Sequence, residues 1–228
     1  MADNPLLPQA RLRELHALMH RIRATDRRKT NVAREALLAA ALIHLSTGDL
    51  VSGRADDATL HTLAPKSKTG DDAHDVPQSL RIPLCAGAAR GMQTAGTDRI
   101  TVAFTEAGAP EIGWVDALRW AHSDRLPFLL IVDDDGTRAR SKVTPRNEPA
   151  LLWPELTKLA HGIHLPHFPV DAEDAVAVYR VMQETSARAR SGGGPSVIWA
   201  MLSAERLAPR QQPLKRLEAY MAARGIRL

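Results

Sequence analysis

The chain has one cysteine in 228 residues, Cys85. That excludes an internal disulfide and any cysteine-rich zinc site. Long apolar runs are also missing. The longest, Leu37 to Leu45, is broken by His44 and falls far short of the roughly 20 residues a bilayer crossing needs. The opening residues Met1-Ala2-Asp3-Asn4-Pro5 lack a basic segment followed by an apolar one, so no secretory signal is expected. Neither sign of charge dominates: 30 basic side chains face 26 acidic ones, and the small excess is scattered. Such a balance argues against a nucleic-acid partner. The cluster Arg27-Arg28-Lys29 reads as the solvated end of a helix, where cations suit the dipole. Aromatic residues make up only 4% of the chain, and no internal repeat is visible. The expectation is a cytoplasmic protein with neither a membrane nor a nucleic-acid partner.

What is present is a pattern of alternating helices and strands. Leu12, Leu15, Leu18, Met19 and Ile22 recur at helical spacing, which predicts an amphipathic helix over 9–28. Residues 33–46, rich in Ala and Leu, read as a buried helix stopped near Gly48. Residues 53–79 show no sustained periodicity and read as loop. Small apolar residues over 83–95 predict a helix able to pack closely on a sheet. Ile100–Phe104 reads as a buried strand, 111–123 as a helix, and Leu126–Val132 as a second strand. Strand, helix and strand in so short a span make a βαβ unit, hence a parallel sheet. Residues 138–154 look irregular. A strand near 167–170 follows, then a helix over 172–190 with Asp171 as N-cap and Asp174 at N3. Gly192-Gly193-Gly194 ends that helix. Ser196–Leu202 reads as a strand, and Leu214–Arg224 as a last helix stopped by Gly225. The reading is one α/β domain spanning 1–228, with helices on both faces of a parallel sheet.

In an open parallel sheet, ligands bind beyond the carboxyl ends of the strands. Two such ends are Thr105-Glu106-Ala107-Gly108 and Asp133-Asp134-Asp135-Gly136. Carboxylates there suit a hard cation such as Mg²⁺, and the cation in turn suits a diphosphate. The same acids also suit the plain start of a solvated turn.

An ordered set of segments resembles a known family. Gly87-Ala88-Ala89-Arg90-Gly91, Asp98-Arg99 leading into 100–104, Asp116-Ala117-Leu118 and Leu126-Pro127-Phe128 resemble the central block of the alpha subunits of thiamine diphosphate-dependent 2-oxo acid dehydrogenases, the E1 components. Flanking pieces agree: Leu6 to Arg23, Arg34-Glu35-Ala36 with Gly48-Asp49, Val170 to Tyr179, Arg188 to Gly192, Gly194-Pro195, and Pro213-Leu214 onward. The resemblance implies the parallel-sheet thiamine diphosphate-binding fold, thiamine diphosphate and Mg²⁺ as cofactors, and a homodimer or an E1 beta-like subunit as partner. The implied family reaction is oxidative decarboxylation of a 2-oxo acid with acyl transfer to a lipoyl carrier.

Departures fall on the positions that carry this chemistry. The family's Gly-Asp-Gly becomes Thr105-Glu106-Ala107, and its Asn-Asn becomes Asp134-Asp135. The resemblance therefore makes Glu106, Asp135 and the carbonyl of Thr137 the metal ligands. It puts Ala107 and Gly108 beside the diphosphate, Arg54 after Gly53 on its phosphates, and Arg81 where a Gln meets the aminopyrimidine. The family's late-loop His has no counterpart after Leu202-Ser203-Ala204, so no catalytic residue is assigned. Glu is longer than Asp, and Mg²⁺ tolerates little error in octahedral geometry. An Asp in place of Asn repels a diphosphate, by up to about 4 kcal/mol at 4 Å and an effective dielectric near 20. Two readings within the family stay open: an accessory subunit with weakened or lost cofactor binding, and an active alpha subunit completed by a beta subunit. An unrelated α/β protein with an acidic Mg²⁺ site is the third.

The remaining candidates read as structural. His16, His20 and His44 lie on helices with no paired site expected. His161, His164 and His167 surround a short strand, whose two-residue period does not point all three one way. Trp114, Trp120, Trp153 and Trp199 read as core or interface, and Cys85 as a buried, inert thiol.

Overall fold

The computed structural model describes residues 7–25, 34–53, 63, 78–135, 150–202 and 212–227. Five parallel strands form one sheet: β1 (Leu50–Ser52), β2 (Thr101–Glu106), β3 (Phe128–Asp134), β4 (His167–Asp171) and β5 (Ser196–Met201). Their order across the sheet is β1-β2-β3-β5-β4. Seven α-helices accompany them among the described residues: α1 (Gln9–Thr25), α2 (Glu35–Leu42), α3 (Arg81–Thr94), α4 (Trp114–Ser123), α5 (Trp153–Ile163), α6 (Ala175–Arg190) and α7 (Pro213–Ala222).

Alternation along the strands builds two cores. Val102 and Phe104 of β2, Leu129 and Ile131 of β3, and Ile198 and Ala200 of β5 pack on one face, under α1, α2, α6 and α7. Ala103, Phe128, Leu130, Val132, Val197 and Trp199 pack on the other, under α3, α4 and α5. Strands covered on both faces read as continuous apolar runs, as Phe128–Val132 does. The chain moves from β2 through β3 to β4 with α4 and α5 on one face. It then steps back to β5 with α6 on the opposite face, as consistent crossover handedness requires.

The βαβ unit holds as expected, with Thr101 paired to Phe128 and Glu106 to Asp133. Several local readings are corrected. β1 was not anticipated, because three residues are too short to show a period. Helix α5 begins at the end of a stretch that looked irregular. Its Pro154 is harmless in the first turn, where the missing N–H has no helical partner. Helix α6 starts at Ala175, and its N-cap is Asp174, whose Oδ1 accepts from the N–H groups of Val176 and Ala177 at 3.0 Å. Asp171 instead accepts from the N–H of Glu173 in the preceding turn. Helix α2 stops at Leu42, four residues short of the expected end. Residues 26–28 of the first expected helix, the Arg27 cluster, and most of the 53–79 loop lie outside the described residues. Among the described residues, no helix is long and apolar enough to cross a membrane.

Candidate functional site

The carboxyl ends of β2 and β3 place Glu106 directly beside Asp133. Arg34, the residue before α2, makes a salt bridge to Asp133, and both side chains are largely buried. The next residue, Asp134, accepts a 2.9 Å hydrogen bond from the indole N–H of Trp199 on β5. Asp135 follows the strand, half-buried. Glu106 is half-buried too, with its Oε2 enclosed. At the carboxyl ends of β2 and β3, Asp133 thus meets Arg34 on the α2 side of the sheet, and Asp134 meets Trp199 on the opposite side.

The turn after β2 is closed by its own backbone. Ala107 donates its N–H to the carbonyl of Asp133 at 2.8 Å, and Gly108 donates to that of Leu151 at 2.8 Å. Ala109 donates back to Glu106 at 3.0 Å. Gly108 has φ +73°, a conformation glycine adopts without strain. Ala107 is 2% exposed, so its methyl fills space inside the turn.

Arg81, the first residue of α3, is 3% exposed and donates to the carbonyl of Phe104 on β2 at 3.0 Å. Nearby sits Glu111, fully buried, which accepts a 2.6 Å bond from the Thr105 hydroxyl. Burial pushes the Glu111 carboxyl above its usual range, although the Thr105 bond and Arg81 oppose the shift. The neighbouring Cys85 thiol is pushed up to about 12, chiefly by burial, in keeping with the inert thiol expected. Glu111 was missed in the sequence because a lone acid after Ala109-Pro110 looks like an ordinary turn residue.

The strand ends therefore bring Glu106 and Ala107 beside Asp133, two residues before Asp135, with Gly108 following in the turn, while Arg81 stays bonded to Phe104 from α3. Arg54 and Thr137 lie outside the described residues. His161, His164 and His167, not expected to point one way, all line one open cavity with Leu165 and Phe168. His161 meets His167 edge-on, with ring centroids 5.1 Å apart, while His164 caps α5 in a left-handed conformation. Trp114 and Trp199 are core, whereas Trp120 is 40% exposed.

A parallel sheet with an acidic carboxyl edge is common to many α/β proteins, and comparison with known proteins narrows the class. Residues 30–202 match the Dehydrogenase E1 component family, and the chain belongs to that family. It is 36% identical over 127 residues to the 3-methyl-2-oxobutanoate dehydrogenase subunit alpha of Mycobacterium tuberculosis. That match covers 55% of this chain and 34% of the relative. It is 31% identical over 119 residues to the alpha subunit of acetoin:2,6-dichlorophenolindophenol oxidoreductase of Bacillus subtilis, covering 52% of this chain and 34% of that one. The matched stretch thus spans about a third of either relative's length. Two solved structures share the fold at a TM-score of 0.54. One is benzoylformate decarboxylase from Polynucleobacter necessarius, at 13% identity, covering 75% of this chain and 33% of that one. The other, from Mycobacterium smegmatis, is assigned as a thiamin diphosphate-dependent enzyme, at 17% identity and 75% and 32% coverage.

Proposed function

We propose that this chain is an E1 alpha-like accessory subunit of a 2-oxo acid dehydrogenase, with weakened or lost thiamine diphosphate binding. The observation that carries the reading is the closed turn after β2. A diphosphate held against that turn needs backbone N–H groups, and those of Ala107 and Gly108 already donate to Asp133 and Leu151 at 2.8 Å. At the ends of the same strands, Glu106 and Asp135 stand where the resemblance expects Asp and Asn, and the nearby cation Arg34 is paired with Asp133. Oxygen ligands such as Glu106 and Asp135 suit a hard cation. The diphosphate that the cation would carry does not fit, so no chemical step is assigned through it. On this reading the chain contributes its fold to an assembly with an E1 beta-like subunit or a second copy of itself.

Titration calorimetry of the purified chain with thiamine diphosphate and Mg²⁺ tests the reading. The expected result is no binding in the micromolar range. Micromolar binding overturns it in favour of an active alpha subunit completed by a beta subunit. Glu106→Ala and Asp135→Ala then each abolish the binding heat.

A further inference from the structure

Away from the sheet edge, the first and last helices bring a second constellation together. His16 and His20 stand one turn apart on α1, so they share a face. Glu218 of α7 reaches that face from the other end of the chain. The Nε2 atoms of the two imidazoles are 3.2 Å apart. Glu218 Oε1 lies 3.5 Å from the His16 nitrogen and 4.0 Å from that of His20. These ligand atoms all fall within 4.8 Å of one another. The separate helical histidines expected from the sequence are thus joined by an acid 202 positions from His16, which no spacing rule can reveal.

We propose that His16, His20 and Glu218 form a binding site for a divalent transition metal of the zinc class. Bonds of about 2.0–2.2 Å to a tetrahedral ion set ligand atoms about 3.3–3.5 Å apart. Two of the three separations already match, and the third closes with a small rotation of His20, whose side chain is 53% exposed. The orientation of Glu218 fits as well. Lys215 holds its Oε2 at 2.6 Å, leaving Oε1 turned toward the histidines. Two imidazole nitrogens facing at 3.2 Å can make only one hydrogen bond between them, and both compete for the same Oε1. A cation takes all three lone pairs at once. The donor set of two imidazoles and one carboxylate selects zinc-like ions over Mg²⁺ or Ca²⁺. Partial exposure of His20 leaves a coordination position open to water. The ion ties α1 to α7, so metal binding stabilises the packing of the chain's two ends on the α1/α2 face of the sheet.

Equilibrium dialysis and calorimetry of the chelator-treated chain with ZnCl₂ decide the matter. The expected result is one zinc per chain, with Tm rising as zinc is added. His20→Ala, at a half-exposed position that does not endanger folding, weakens binding by at least about tenfold and removes the Tm shift, as does Glu218→Gln. His161→Ala and His167→Ala leave both unchanged. Co²⁺ in place of zinc gives visible absorption bands in the parent chain that His20→Ala loses. Absence of stoichiometric zinc binding, or binding that His20→Ala and Glu218→Gln leave intact, overturns the proposal and leaves a hydrogen-bonded His–His–Glu cluster. None of these readouts depends on thiamine diphosphate, so the outcome is separable from the reading of the sheet edge.

Discussion

Asp49 commits both carboxylate oxygens inside the protein. Its Oδ1 accepts from the Ile100 N–H at 2.9 Å, and its Oδ2 from the Ser46 N–H at 2.7 Å. Arg190, at the end of α6, donates to both oxygens at 2.9 and 2.5 Å. The acid side chain is 1% exposed. Asp49→Ala therefore strands the buried Ile100 N–H and removes the counter-charge of Arg190, leaving its guanidinium only the carbonyls of His44 and Asp98. A loss of about 3–5 kcal/mol is expected, read as a shifted urea midpoint at unchanged slope. The carbonyl of His44 also accepts from Arg190, and its ring lies 4.4 Å from that of Tyr179. Burial lowers its pKa from 6.5 to about 4, with Arg11 and Arg190 adding to the shift and Glu14 opposing it. The unfolded chain takes up this proton near 6.5, and the folded chain only near 4. The stability owed to neutral His44 is complete above 6.5 and lost as pH falls toward 4. His44→Gln should flatten that slope, so Tm falls less on acidification than in the parent chain. Equal slopes would place the acid sensitivity elsewhere. At this scale the sequence is least legible. Arg34 and Asp133 sit far apart in the chain, as do Asp49 and Arg190, and only the fold brings them together.

Elements declare themselves when their period is long enough to read. β3 carries an unbroken apolar run and α1 a full heptad-length stripe, and both lie where their patterns place them. β1, with three residues, shows no period and is legible only through its pairing with β2. Helix starts are ambiguous for a different reason. Asp171 and Asp174 both precede the same apolar stripe, and either can cap it. Geometry selects Asp174, whose backbone is extended (φ −91°, ψ 94°) and whose Oδ1 meets two N–H groups. Asp174→Ala should cost about 1 kcal/mol by removing those bonds, measurable by chemical denaturation. Asp171→Ala should cost less, since its Oδ1 serves a single turn N–H and its Oδ2 only an exposed ion pair with Arg216. The reverse ranking would return the cap to Asp171. The acidic edge was legible through the strand ends, where Glu106 and Asp133 emerge in register. The closure of the following turn was not, because the partners of Ala107 and Gly108 are backbone carbonyls, which carry no residue signature.

At the scale of the whole molecule, the two helices richest in small and apolar residues, α2 and α3, differ in what they leave open to a second copy. All eight residues of α2 are buried within the chain, which removes that helix as a docking surface. Helix α3 is two-sided. Ile82, Cys85, Ala86 and Ala89 face the sheet, while Leu84 is 46% exposed and Gly87 and Gly91 lie open on the outer side. Leu80 and Trp120 add exposed apolar area on the adjoining turn and on α4. Association with a second copy of the chain, if it uses either helix, must therefore use the outer face of α3. Gly87 offers a clean probe, because a Cβ there meets nothing within 4 Å. Gly87→Arg should leave the fold intact and even add about 1 kcal/mol through helix propensity. On the α3 reading, light scattering shows a concentration-dependent dimer for the parent chain and a monomer for Gly87→Arg, at equal or higher Tm. Ala89→Arg makes the contrast, since it drives a charge into the core beneath the same helix and should unfold the chain. A parent chain that stays monomeric at every concentration, or a Gly87→Arg variant that still dimerises, removes the outer face of α3 as the contact between copies.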